Sequence, residues 1–198
     1  MKRLSFFITA IFVFAAFVSF NNVSAKDGLA VGSALENFKL PDTNGKEQSL
    51  NDLKGKNGAI LVFLSIQCPV VKGYDERIVK LADEYKAKGI NVIGINSNAT
   101  EAPDKVKTHA AEKYKFPVLI DKNNVLADKF GATVTPEMYY FNAKNVLTYH
   151  GAIDNDRSGK NVTTEYLRTA LDETLSGKTV TKNTASAFGC TIKRAEKQ

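Results

Sequence analysis

The segment Ala59–Ser65, AILVFLS, is apolar at every position but its last, as a strand covered on both faces requires. The period then changes. Ile78, Leu81, Ala82 and Tyr85 recur at helical spacing, which predicts a helix from about Pro69 to Lys88, stopped by a basic last turn and Gly89. Ile90–Asn96, INVIGIN, is a second buried strand, and PDKVKTHAAEKYK a second helix started by Pro103 and Asp104. Phe116–Asp121 predicts a short strand, and Val125–Phe130 a short helix ending at Gly131. In EMYYFNAKNVLTYHGAI two apolar runs are joined by NAKN, an antiparallel hairpin with Tyr139 and Tyr140 on opposite faces, one inward and one outward. A last helix is predicted over Thr163–Leu175, with Leu167, Ala170, Leu171 and Leu175 on one face. Upstream, a Pro-Asp-Thr-Asn-Gly turn separates two short strands in FKLPDTNGKEQSLNDLKGK.

The order is hairpin, βαβαβ, hairpin, helix. Strands separated by helices run parallel, and the closing hairpin adds antiparallel strands to the same sheet. This predicts an α/β domain with a central mixed sheet flanked by helices and an N-terminal β-hairpin extension. It occupies 26–176, and a polar tail without clear periodicity, 177–198, carries Cys190. Residues 1–25 have a Lys2–Arg3 start, an apolar stretch from Leu4 to Phe20 and a Val23-Ser24-Ala25 end, the pattern of a cleaved signal peptide. Ser5, Thr9 and Ser19 interrupt that stretch, which falls short of the ~20 residues of a spanning helix and argues against a retained anchor. The expectation is a periplasmic or secreted protein with no stable membrane insertion after cleavage. The formal charge of +6 falls once Lys2 and Arg3 are removed, and the remaining lysines are scattered between acids, so nucleic acid is not an expected partner.

The 198-residue chain has two cysteines and two histidines, His109 and His150, with no metal-ligand spacing. Asp154 and Asp156 flank Asn155, but a calcium loop's glycine and glutamate are missing, so a polar turn is expected and no metal. Cys68 falls where a buried parallel strand gives way to a helix, the edge where open α/β sheets place their ligands. Pro69 suits the first helical turn. A sulfur there faces unpaired backbone N–H groups and the positive end of the helix dipole, which favour the thiolate, and Lys72 one turn on could add to that field. The alternative is packing, since free cysteine is among the most buried residue types. Tyr74 either lines the site or packs beneath it. Thr135-Pro136, directly before the antiparallel strand, suits a cis bond that would set the Thr135 backbone beside Cys68 and shape a substrate edge.

The element order, Cys68 and the Thr135-Pro136 loop resemble the thioredoxin fold. CPVVKGYDERIVKLADEY, VIGINSN, GAIDNDRSG and the terminal GCTIKR are similar to a peroxiredoxin-like subgroup of the AhpC/TSA (redoxin) family. The resemblance implies a thiol-dependent oxidoreductase in which Cys68 reduces hydroperoxides or disulfides, with Ser65 as hydrogen-bond donor and Thr135, Pro136, Lys72 and Arg157 at the substrate edge. It implies a thiol electron donor (a thioredoxin-like protein or a small thiol) and no cofactor. The chain departs from both parent patterns. Leu61 stands where a peroxiredoxin has proline, the strand arginine is missing from TPEMYYF, and Arg157 is the substitute nominated for it. Val71 stands where a Cys-x-x-Cys reductase has its second cysteine. Cys190 is thus a resolving thiol, a static disulfide partner or independent of Cys68. The competing class is a binding module that keeps the fold without the chemistry.

Overall fold

A computed structural model describes residues 28–196; the expected signal peptide lies outside them. The elements in chain order are β1 Lys39–Pro41, β2 Glu47–Ser49, α1 Leu50–Leu53, β3 Gly58–Leu64, α2 Pro69–Ala87, β4 Ile90–Asn96, α3 Pro103–Lys113 and β5 Val118–Ile120. After them come α4 Val125–Phe130, β6 Val134–Thr135, β7 Glu137–Asn142, β8 Leu147–Gly151, α5 Tyr166–Leu175 and β9 Cys190–Thr191. The central sheet runs β5-β4-β3-β7-β8. The β3–β4 and β4–β5 pairs are parallel, and β3–β7 and β7–β8 antiparallel, so the sheet is mixed as expected.

β3 shows why the apolar run is unbroken. Ile60, Val62 and Leu64 face one layer, with Val71, Ile78, Tyr85, Leu167 and Leu171 of α2 and α5. Ala59, Leu61 and Phe63 face the other, with Leu50, Leu126 and Phe130. Successive side chains point to opposite faces and both faces are covered. The same geometry corrects the reading of Tyr139 and Tyr140. They do face opposite layers, but neither is outward; both are fully buried because β7 is an interior strand.

Two local differences have physical causes. α5 begins at Tyr166 and not at Thr163, because the Asn155 side chain takes the Thr163 and Thr164 amides (3.0 and 2.9 Å) and holds them off the helix. α1 is a single turn capped by Ser49, whose hydroxyl accepts from the Asp52 amide. The tail, aperiodic in sequence, docks on the β8 edge and the β6 loop. His150 N donates to Asn183 O (3.0 Å) and Ala185 N to His150 O (3.1 Å). Gly151 permits this approach, since a Cβ there would run into the Ala185 carbonyl oxygen. Further on, β9 pairs antiparallel with β6, Thr135 opposite Cys190, and Ile192 is buried in the second layer.

Leu61 is fully buried. Leu61→Ala is expected to lower unfolding free energy by about 2–5 kcal/mol in urea titrations. A loss below ~1 kcal/mol would contradict the two-sided packing of β3.

Candidate functional site

Cys68 is the N-cap of α2, in extended conformation with Pro69 opening the helix, and its carbonyl accepts the Lys72 amide at 3.2 Å. That is the expected strand-to-helix position. The sulfur, however, is disulfide-bonded to Cys190, with Cα atoms 5.7 Å apart, in the ordinary range for such a bond. Cys68 is 1% exposed, and its side chain makes no capping bond to the helix amides. Its polar neighbour is the Thr135 carbonyl oxygen, 3.3 Å away. The expectation of a sulfur facing unpaired amides is corrected in this state: the position holds, but the sulfur is covalently partnered and has an acceptor beside it.

The Thr135-Pro136 bond is cis. Backbone pairing of Thr135 with Cys190 sets β9 across the mouth of the site. Gly189 is required there: a Cβ would run into the Thr135 carbonyl oxygen. Phe188 packs toward Tyr74, ring centroids 6.1 Å apart, so Tyr74 lies under the tail. Its hydroxyl donates to Asp154 Oδ1 at 3.1 Å, and burial, with the Asp154 charge adding, holds its pKa well above the usual phenol value.

The loop before Cys68 is organised by Glu101, a residue the sequence reading passed over. This buried carboxylate accepts from Ser65 Oγ (2.5 Å), Ile66 N (3.1 Å), Gln67 N (3.0 Å), Asn96 Nδ2 (2.6 Å) and Asn98 Nδ2 (3.0 Å). Burial works to raise its pKa, but these donors outweigh it and the net shift is downward. The Ser65 hydroxyl therefore gives its one proton to Glu101, which corrects its expected role as a donor at the sulfur. A polar run directly after a buried strand, SNATE (Ser97–Glu101), was the available signal.

Glu137, one past Pro136, is the second buried acid. It accepts from Thr133 N (2.9 Å), Val134 N (3.2 Å) and the Tyr139 hydroxyl (3.1 Å), and His150 Nε2 lies 2.6 Å from Oε1. Burial opposes its ionisation, yet the His150 bond and the two amides lower its pKa. Lys72 is exposed and lines a groove with Ile66, Asp104 and His109. Arg157 is exposed on the loop after β8, and its carbonyl accepts from Arg77 Nη2 at 3.0 Å. The guanidinium that enters the structure there is Arg77's, 2.5 Å from buried Asp154. Asp156 closes a polar turn, held at about 2 by the Asn161 amide and then by Ser158.

Two expected outcomes follow from this geometry. Gly189→Ala should shift the Cys68–Cys190 equilibrium toward the dithiol in glutathione buffers by roughly tenfold or more, since about 1.4 kcal/mol of lost docking is a factor of ten. No shift would mean that the strand pair contributes nothing to the bond. Glu101 and Glu137 have lowered folded pKa values, so their stabilisation is full above the ordinary carboxylate range. It disappears as pH falls from about 5 through the lowered values. Stability curves of Glu101→Gln and Glu137→Gln should therefore be flatter than wild type on the acid side; parallel curves would refute the assignment.

The chain is similar in sequence and fold to known proteins. Thiol-disulfide oxidoreductase ResA of Halalkalibacterium halodurans is 31% identical over 143 residues, 71% of this chain and 78% of that protein. A hypothetical protein of Sinorhizobium meliloti superposes with a TM-score of 0.79 at 32% identity, covering 86% of this chain and 98% of its own. Peroxidoxin BcpB of Mycobacterium tuberculosis shares the fold, with a TM-score of 0.59 at 19% identity over 74% of this chain and 96% of its own. The AhpC/TSA family model matches residues 31–154, spanning β1 through Asp154, so this chain belongs to the AhpC/TSA family.

Proposed function

We propose that this protein is an exported thiol–disulfide oxidoreductase whose working couple is Cys68 and Cys190, the tail serving as a resolving arm. The observation that carries this reading is the pairing of an N-cap cysteine with a cysteine on a docked strand. Export is supported by the signal-like residues 1–25 and by a disulfide, which persists in oxidising compartments. In the reductive half-cycle a donor thiolate attacks the sulfur of Cys190, a half-buried residue where Cys68 is almost fully buried. A donor–Cys190 disulfide forms and Cys68 leaves as thiolate. A second donor thiol then attacks that mixed disulfide and releases Cys190 as a thiol. In the oxidative half-cycle the Cys68 thiolate attacks a substrate disulfide and one substrate thiolate leaves. Cys190 then attacks the Cys68 sulfur, expels the other and restores the starting bond. Two electrons pass from a dithiol donor to a disulfide substrate.

Peroxide is the weaker substrate on this geometry. Cleaving an O–O bond needs donors aimed at the leaving oxygen. The Ser65 proton is given to Glu101, the sulfur's polar neighbour is an acceptor, and Arg157 is exposed on its loop.

The wild-type protein should cycle between disulfide and dithiol with dithiothreitol and oxidised glutathione. Cys190→Ser should stall as a Cys68–glutathione adduct, and Cys68→Ser should be inactive. A bond that resists reduction in the folded protein, or undiminished turnover in Cys190→Ser, would refute the resolving role. Hydrogen peroxide consumption faster than disulfide exchange would overturn the substrate assignment.

A further inference from the structure

Asn98 has contacts on both sides of the disulfide. Its Oδ1 accepts the backbone N–H of Lys193 at 2.7 Å, while Nδ2 donates to Glu101 Oε1 (3.0 Å) and Ser65 Oγ (3.1 Å). The amide orientation follows from its partners. The Lys193 N–H can only donate and the carboxylate only accept, so a flipped amide would set like against like. Ala99 N reinforces the link by donating to the Lys193 carbonyl at 2.9 Å. Lys193 stands three residues after Cys190, and Ser65 three before Cys68. One side chain, 8% exposed, thus joins the strand carrying one sulfur to the loop carrying the other.

Neither segment depends on Asn98 for attachment alone. The tail is also held where β9 pairs with β6, by Ile192 N on Thr133 O (3.0 Å), and by Arg194 on the Ala132 carbonyl. The loop keeps the Ile66 and Gln67 bonds to Glu101. What Asn98 adds is a connection between them. We propose that Asn98, acting through Glu101, couples docking of the tail to the conformation of the loop that presents Cys68. The idea rests on the exchange reading above and concerns regulation of the same site. With the tail docked, Lys193 fixes the Asn98 amide so that it completes the Glu101–Ser65 network. When the tail lifts, Oδ1 loses its donor, the amide is free to rotate, and Glu101 loses one of its five donors. The loop then holds the first turn of α2 less firmly, and Cys68 loses part of its helix-terminal setting. Coupling is reciprocal, so a loosened loop also weakens docking. Asn98 and Glu101 are positioning residues in this account, acting on the sulfur through Ser65–Gln67.

The test is a double-mutant cycle on full-length protein carrying Cys190→Ser, which leaves Cys68 as its one thiol and needs no exchange chemistry. Iodoacetamide alkylation of Cys68 is followed across pH by mass spectrometry, and the midpoint is read separately from the limiting rate. Gly189→Ala, which lifts β9 from Thr135, is introduced with Asn98 intact and again in the N98A background. The expected result is a Gly189→Ala shift in the midpoint that differs between the two backgrounds by about half a pH unit or more, the size of a direct network coupling. Equal shifts would overturn the proposal and leave Asn98 as a simple clamp. If N98A does not fold, E101Q takes its place in the cycle, with the same two outcomes. Failure of the exchange reading shows elsewhere, as a wild-type disulfide that does not equilibrate with a dithiol.

Discussion

The structure turns on a covalent tie between a helix N-cap and a strand laid on the neighbouring loop. Cys68 and Cys190 meet only because β9 pairs with Thr135, and that pairing is possible only because residue 189 has no Cβ. Each condition has its own structural support. The N-cap is set by the end of β3 and by Pro69, the loop by Glu137 beneath the β6 amides, and the strand by Ile192 sunk in the second core layer. The bond therefore reports the register of three separate elements.

Buried acids supply much of that register. Glu101 and Glu137 are each nearly inaccessible, and each gathers backbone amides from a loop at the same edge of the sheet. An ionised carboxylate in such a place is tolerable only when fully hydrogen-bonded, and removing a single partner is costly. The loops at 65–67 and 133–135 are consequently held by buried acceptors, although neither belongs to the central sheet. Asp121 repeats the device at α4, accepting the Leu126 and Ala127 amides (both 2.9 Å). Three buried carboxylates thus gather backbone amides at this edge of the sheet.

This division explains what the sequence made legible. Period-two and helical patterns report burial, so the five central strands, α2, α3 and α4 follow from Ala59–Ser65, INVIGIN and their neighbours. Cys68 was readable because its position depends on local order alone, a strand end followed by Pro69. Glu101 was not, because its role depends on five donors, three of them more than thirty positions away in the chain. The tail was aperiodic for a similar reason: it docks at isolated points, through backbone groups and through single side chains such as Phe188, Cys190, Ile192 and Arg194 that follow no period. Ser65 shows the limit of motif reading. Its spacing from Cys68 fits a hydroxyl donor, yet a stronger acceptor lies within reach and takes the proton.

On the proposed exchange reading, a static staple and a redox couple are one equilibrium viewed from two ends. Closing a loop of 122 positions is worth about 4–5 kcal/mol to the folded state on the chain-entropy model. The contacts that dock β9 raise the effective concentration of Cys190 at Cys68, and so make the same bond harder to reduce. Any residue that strengthens docking stabilises the oxidised protein and slows its use by a donor. On the exchange reading, the difference in burial, with Cys68 buried and Cys190 half-buried, would relieve this opposition. On that reading a donor would enter at Cys190 without first undocking the strand, and the departure of Cys68 would remove the covalent tie to the tail. Stability in the resting state and access for exchange would in this way fall to different cysteines of one bond.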